Sequence, residues 1–151
     1  TEFLEDRIVL AKAAGAEIDR DPKEYDFVHH PDLAQTMAVC CAALGIEARL
    51  TGIFGLRYKE TDRIVALRDE LERMGAKVEC TESEFDNELH IFPSELHPEK
   101  NVIRTYGDHR MALSFSLLAM KYGKITLDDK EVVNKSFPGF WQVIKRLGAK
   151  L

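Results

Sequence analysis

Four times in this chain an apolar run at helical spacing ends in a glycine and gives way to a strand pattern. The junctions are Leu44-Gly45-Ile46, Met74-Gly75-Ala76, Tyr122-Gly123-Lys124 and Leu147-Gly148-Ala149. Glycine reaches positive φ without a Cβ clash, so it can end a helix and turn the chain back into a strand. The recurrence sets the order of elements. Strand, helix, strand, helix, strand, strand runs over residues 25–92 and begins again at Val102. The expectation is an α/β fold of repeated βαβαββ units, with an incomplete domain. Residues 1–20 read as the end of one unit, 25–92 as a complete unit and 101–151 as most of a last one. The chain opens at Thr1 directly in strand pattern, as a piece of something longer would.

Within that order, short strands are expected at 7–12, 16–19, 25–29, 46–51, 77–80, 88–92, 102–106 and 124–128. Leu33, Met37, Cys40 and Leu44 mark a helix that is apolar on nearly every side, and therefore buried on most faces. Ile64, Leu67, Leu71 and Met74 mark a second helix beginning at Thr61 or Asp62. A third carries Met111, Phe115, Leu118 and Tyr122 behind Asp108. A fourth is expected from Ser136 as its cap, with Pro138 in the first turn and Phe137, Phe140, Ile144 and Leu147 buried.

Cations gather where these helices start. In Leu56-Arg57-Tyr58-Lys59-Glu60-Thr61-Asp62-Arg63, Lys59 and Arg63 flank a helix N-terminus whose dipole disfavours them. His109 and Arg110 follow Asp108, and Lys135 precedes Ser136. An anion of phosphate or carboxylate type, held also by free backbone N–H groups, would account for them. The bland reading is a solvated loop in which Arg63 pairs with Glu60 or Asp62. Acids sit among the cations (Asp32, Glu60, Asp62, Asp108), as general acid–base chemistry requires and anion binding alone does not. Asp32 and Asp108 read equally well as plain N-caps.

Totals narrow the partners. With 45% hydrophobic and 31% charged residues and a net charge of -5, the chain is an ordinary globular domain. That charge argues against nucleic acid or an anionic membrane as the main partner. No apolar run approaches the ~20 residues of a membrane span. No signal peptide opens the chain, and three cysteines give neither a disulfide framework nor zinc spacing, so the cytoplasm is the expected setting. His29-His30-Asp32 gives no metal site, because adjacent strand residues point to opposite faces and no third ligand follows.

Four segments carry a resemblance. Pro31-Asp32-Leu-Ala-Gln-Thr-Met-Ala, Leu56-Arg-Tyr-Lys-Glu-Thr-Asp-Arg63, Asp108-His-Arg-Met-Ala112 and Lys135-Ser-Phe-Pro138 resemble, in order and spacing, motifs of the 5-enolpyruvylshikimate-3-phosphate synthase family. The resemblance implies two similar domains of three βαβαββ units each, an inverted α/β barrel with substrates in the cleft between. This chain resembles the later part of the C-terminal domain, and the N-terminal domain is absent from it. The implied reaction moves the enolpyruvyl group of phosphoenolpyruvate to shikimate 3-phosphate, in the shikimate pathway, with no metal or organic cofactor. By resemblance, Asp32 is the general base at the shikimate hydroxyls and Lys59 belongs to the same substrate. Glu60 is the proton donor near the phosphoenolpyruvate methylene. Arg63, Arg110 and Lys135 bind phosphoenolpyruvate and the inhibitor glyphosate, and His109 joins the substrate-binding set. Lys135 is counted as catalytic with Asp32 and Glu60. Gly55 falls where some members carry a polar side chain, so a contact to the shikimate substrate is missing there. A non-catalytic anion-binding module of the same fold, and an enolpyruvyl transferase acting on a UDP-sugar, are the alternatives. Retention of Asp32 and Glu60 separates the first, because a pure anion binder would gain from losing them.

Overall fold

The computed structural model describes residues 2–3, 8–9, 17–82 and 87–146. Strands β1 (Glu2–Phe3) and β2 (Ile8–Val9) form an antiparallel pair. Residues 17–19 are not strand, and the rest of the expected 7–12 and 16–19 strands lies outside the described residues.

Between Lys23 and Phe92 the elements run β3 (Lys23–Asp26), α1 (Ala34–Leu44), β4 (Ala48–Thr51), α2 (Arg63–Arg73), β5 (Lys77–Glu82) and β6 (Asn87–Phe92). They make one four-stranded sheet in the order β3-β4-β6-β5. β3 and β4 are parallel, joined through α1; β6 runs antiparallel to β4 and pairs with β5 from Lys77↔Phe92 to Glu82↔Asn87. Period-two alternation gives the sheet a buried face: Ala48 and Leu50 of β4, Leu89 and Ile91 of β6, and Val78 of β5. α1 lies over β4 and β6, and α2 over β5.

The remaining elements are β7 (Val102–Ile103), α3 (His109–Ser116), α4 (Leu118–Tyr122), β8 (Thr126–Leu127) and α5 (Phe140–Arg146), with β7 and β8 parallel. α3 and α4 also pack on α1, which thus meets both the sheet and two further helices and needs apolar residues on most faces. Ala34, Ala38, Val39, Cys41 and Ala42 are accordingly buried. No helix among the described residues is long and apolar enough to cross a membrane.

Several expected boundaries move, each for a local reason. The 25–29 strand shifts to Lys23–Asp26, because the Asp26 carboxylate accepts from the Val28 N–H and turns the chain. The 102–106 strand stops at Ile103: the Arg104 N–H leaves for Glu70 and the Thr105 N–H for Asp128. The 124–128 strand shortens to Thr126–Leu127. The third helix breaks at Leu117, after the Ser116 hydroxyl donates back to the Leu113 carbonyl at 2.6 Å. Ser136 caps nothing. A 3-10 turn over Glu131–Lys135 comes first, the Ser136 N–H donates to Val133 O, and α5 begins only at Phe140. No residue of α5 is buried and Phe137 is 43% exposed, so the expected buried face is not formed; Leu147 lies outside the described residues. Phe140 instead meets Phe137 and Trp141 edge-on, with ring centroids 5.7 and 4.8 Å away.

Gly52, directly after β4, has φ +68, and a Cβ there would lie 2.4 Å from the Val28 backbone nitrogen and 2.5 Å from Asp26 Oδ1. Gly123 has φ +77 but meets nothing within 4 Å. Both alanine variants bear the left-handed strain of roughly 1 kcal/mol, and only Gly52→Ala adds a backbone clash. Urea unfolding should therefore rank Gly52→Ala well below Gly123→Ala. Equal midpoints would show that the β3–β4 edge yields freely.

Candidate active site

Parallel pairing puts the C-terminal ends of β3 and β4 at one edge of the sheet, so the loops that follow them converge. The loop after β3 carries Asp32 and the loop after β4 carries Lys59 and Glu60. Arg63 opens α2, and the loop after β7 ends in Asp108, His109 and Arg110. Lys135 closes the 3-10 turn before α5. All seven residues singled out in the sequence meet here, together with Asp108.

Arg63 is the hub, only 1% exposed. Its Nε donates to Asp108 Oδ2 at 2.6 Å and its Nη2 to Asp108 Oδ1 at 3.2 Å. Its Nη1 donates to Asp32 Oδ1 at 2.9 Å, and Nη2 also to Glu60 Oε2 at 2.8 Å. The solvated-loop reading therefore fails on burial, although the pairing with Glu60 is real. Asp62 takes no part. It caps α2 by accepting from the Ile64 and Val65 N–H groups and pairs with Arg57 at 3.0 Å.

The anion that the sequence called for between Lys59 and Arg63 is supplied by the chain itself. Asp32 Oδ1 lies 2.9 Å from Arg63 Nη1 and 3.6 Å from Lys59 Nζ, while Oδ2 lies 3.0 Å from Arg110 Nη2. Asp32 is not the N-cap of α1. It sits in a 3-10 turn over Pro31–Leu33, and α1 begins behind Leu33 with no side-chain cap. Three cations hold its carboxylate, so it faces them rather than the helix. Asp108 does cap α3, accepting from the Arg110 N–H at 2.8 Å, and at the same time carries the fork of Arg63. The cap signal was legible in the sequence; nothing in it pointed to the partner 45 residues away.

Burial grades outward. Arg63 and Asp108 form a floor closed to solvent, while the side chains of Asp32, Lys59 and Arg110 are about a third exposed and Lys135 more than half. Lys135 Nζ donates to Glu60 Oε1 at 2.9 Å. This hydrogen bond, with Arg63 beside it, pulls the Glu60 carboxyl down from 4.5 to about 2. His109 Nδ1, 3.8 Å from the same oxygen, is buried without a hydrogen-bond partner among the described residues. Four cations against three carboxylates leave one positive charge in excess, and Lys59, Arg110 and Lys135 are the cations open to solvent.

A depressed carboxyl pKa stabilises the fold above its unfolded value and loses that contribution as pH falls toward the folded one. Glu60 should thus contribute stability at neutral pH that disappears between about 4.5 and about 2. Urea unfolding of Glu60→Gln across that window should show a shallower pH slope than the unsubstituted chain; parallel slopes would refute the pairing.

Fold and cluster together define an α/β protein with four cations and three carboxylates gathered at the strand ends. The family model for EPSP synthase (3-phosphoshikimate 1-carboxyvinyltransferase) matches residues 5–144. A 3-phosphoshikimate 1-carboxyvinyltransferase of Bacteroides fragilis is 39% identical over 150 residues, 98% of this chain and 35% of the relative. Proteins of the same name from Methanoculleus marisnigri and Neisseria meningitidis serogroup B are each 40% identical, over 80% and 82% of the chain. They are covered for 27% and 28% of their own length. The chain belongs to the EPSP synthase family. It spans about a third of the length of the curated relatives it matches.

Proposed function

We propose that this chain supplies the C-terminal-domain wall of an enolpyruvyl transferase site, with phosphoenolpyruvate and shikimate 3-phosphate as substrates. The carrying observation is that two partly exposed carboxylates, Asp32 and Glu60, are held among four cations. A pure anion binder gains nothing from them. Residues 25–92 would be a complete βαβαββ unit, with the end of one unit before it and most of the last after it. The shikimate phosphate would be gripped by a second domain on the rest of a longer protein. A cytoplasmic setting belongs to the same reading.

In this reading Asp32 accepts the proton of the attacking hydroxyl as its oxygen bonds to the central carbon of phosphoenolpyruvate. Glu60 delivers a proton to the methylene carbon, giving a tetrahedral adduct. Return of that proton to Glu60, cleavage of the carbon–oxygen bond to phosphate, and passage of the Asp32 proton to the departing phosphate complete the transfer and restore both carboxyl groups. At neutral pH Glu60 is ionised, because Lys135 holds its carboxylate. An incoming phosphate that draws Lys135 away removes the main cause of the low pKa, so Glu60 can then carry the proton. Arg110 and Lys135 meet the substrate anion, and Arg63 fixes the carboxylates from below.

Phosphate release from both substrates together tests the reading. The full-length protein carrying this chain should turn over. The chain alone should not, because half a site leaves its charges in water and its substrates unaligned. Turnover by the chain alone, or none by the full-length protein, would refute it.

A further inference from the structure

Another buried ionic cluster lies on α2, seven residues past Arg63. Glu70 is wholly buried, and Arg73 Nη1 donates to both of its oxygens at 2.7 and 2.6 Å. The same carboxylate accepts from the Tyr106 hydroxyl at 2.9 Å and from the Arg104 N–H at 3.1 Å. Seven residues make two helical turns, so Arg63 and Glu70 project from the same side of α2. Both grip one loop, Arg63 at Asp108 and Glu70 at Arg104 and Tyr106. That loop hands over Asp108, His109 and Arg110.

The loop needs gripping. Tyr106 has φ +56, the only positive φ at a residue other than glycine among the described residues, and Gly107 follows with φ +67. Such a conformation is strained at a non-glycine residue and persists only where its surroundings over-determine it. On the other side, the Thr105 N–H and hydroxyl both donate to Asp128 Oδ1 at 2.8 Å. Burial, and then the bond to Glu70, raise the Tyr106 hydroxyl pKa, so it remains a donor. A buried carboxylate is a poor source of stability compared with an apolar side chain of its size. Its advantage here is direction, because it dictates where the backbone of residues 104–108 runs.

We propose that Glu70 and Tyr106 are positioning residues, which fix the loop between β7 and α3 and so set the approach of Asp108 and Arg110 to Arg63 and Asp32. The activity readout rests on the function proposed above; the exchange readout does not. The full-length protein would be compared with Tyr106→Phe, Glu70→Gln and the double variant. Steady-state kinetics and amide hydrogen exchange at Arg110, whose N–H donates to Asp108, would be read far below the unfolding temperature. Tyr106→Phe, which removes one oxygen and leaves the fold intact, should lower kcat/KM about tenfold. The loss should fall mainly in KM for phosphoenolpyruvate, with faster exchange at Arg110. The double variant should be no worse than Glu70→Gln alone, because both changes break one contact. Variants that unfold at lower temperature but keep wild-type KM and Arg110 exchange would overturn the proposal. So would additive losses. A full-length protein without transferase activity would refute the functional reading instead, and exchange at Arg110 would still decide the positioning.

Discussion

Replacing Arg63 with alanine is expected to remove about 3–5 kcal/mol of folding stability, the usual cost of stripping one partner from a buried ion pair. Arg63 is 1% exposed and Asp108 is wholly buried. Without the guanidinium, the Asp108 carboxylate keeps the Arg110 N–H as its one hydrogen-bond donor among the described residues, with His109 Nδ1 4.0 Å away, and faces a protein interior. Asp32 and Glu60 lose their shared counter-charge as well. Against a total of about 5–15 kcal/mol for a domain, that is a large fraction. Lysine should not rescue the position, since one ammonium cannot reproduce the two-nitrogen fork on Asp108 while reaching two further carboxylates. Urea unfolding measures the loss directly. The double variant Arg63→Ala with Asp108→Asn should be less destabilised than the sum of the two singles. A loss below about 1 kcal/mol for Arg63→Ala would show that water reaches the cluster floor.

The second large effect concerns turnover of the full-length protein. Alanine at Asp32, Glu60 or Lys135 is expected to lower kcat by about 10²–10⁴, the range for removing a positioned acid or base. The three should differ in character. Asp32→Ala removes the base and frees Arg110 and Lys59, so substrate anions bind at least as well while turnover collapses. Lys135→Ala removes the first cause of the low Glu60 pKa, which should rise from about 2 toward its ordinary 4.5. Because the proposed role needs Glu60 protonated, the alkaline limb of the pH–rate profile should then move upward with it. Arg110→Ala should act mainly on KM, because in the proposed function its partly exposed guanidinium meets the substrate, and it holds no buried partner. Undiminished kcat in Glu60→Ala would remove the proton-transfer role assigned to it.

Much of the fold could be read in the sequence because its signals are local. Helix, glycine, strand is a backbone event: Gly45 takes φ +66 and Gly75 φ +101 at the ends of α1 and α2. The buried stripe Ile64, Leu67, Leu71 and Met74 follows from the 3.6-residue period alone. The caps Asp62 and Asp108 are equally local, each bonding an N–H two residues on. Strand ends and the last helix were less legible. Where β7 stops depends on Glu70 and Asp128 reaching across from other elements. The aromatic run at Phe137, Phe140 and Trp141 has helical spacing whether or not a core exists for it to meet.

The composition of the site was fixed by sequence: cations and carboxylates placed at successive loops. What only tertiary structure decided is which of them answer one another. Asp32 reads as a helix cap until Arg63, Arg110 and Lys59 arrive from 31, 78 and 27 residues further along the chain. Charge pairs attract through space without regard to sequence separation, so no periodicity records them. Arg63 looked like a ligand for an external anion, and the fold made it the buried counter-ion of three internal ones. Burial took Arg63 out of solvent and left Lys59, Arg110 and Lys135 as the cations at the open rim.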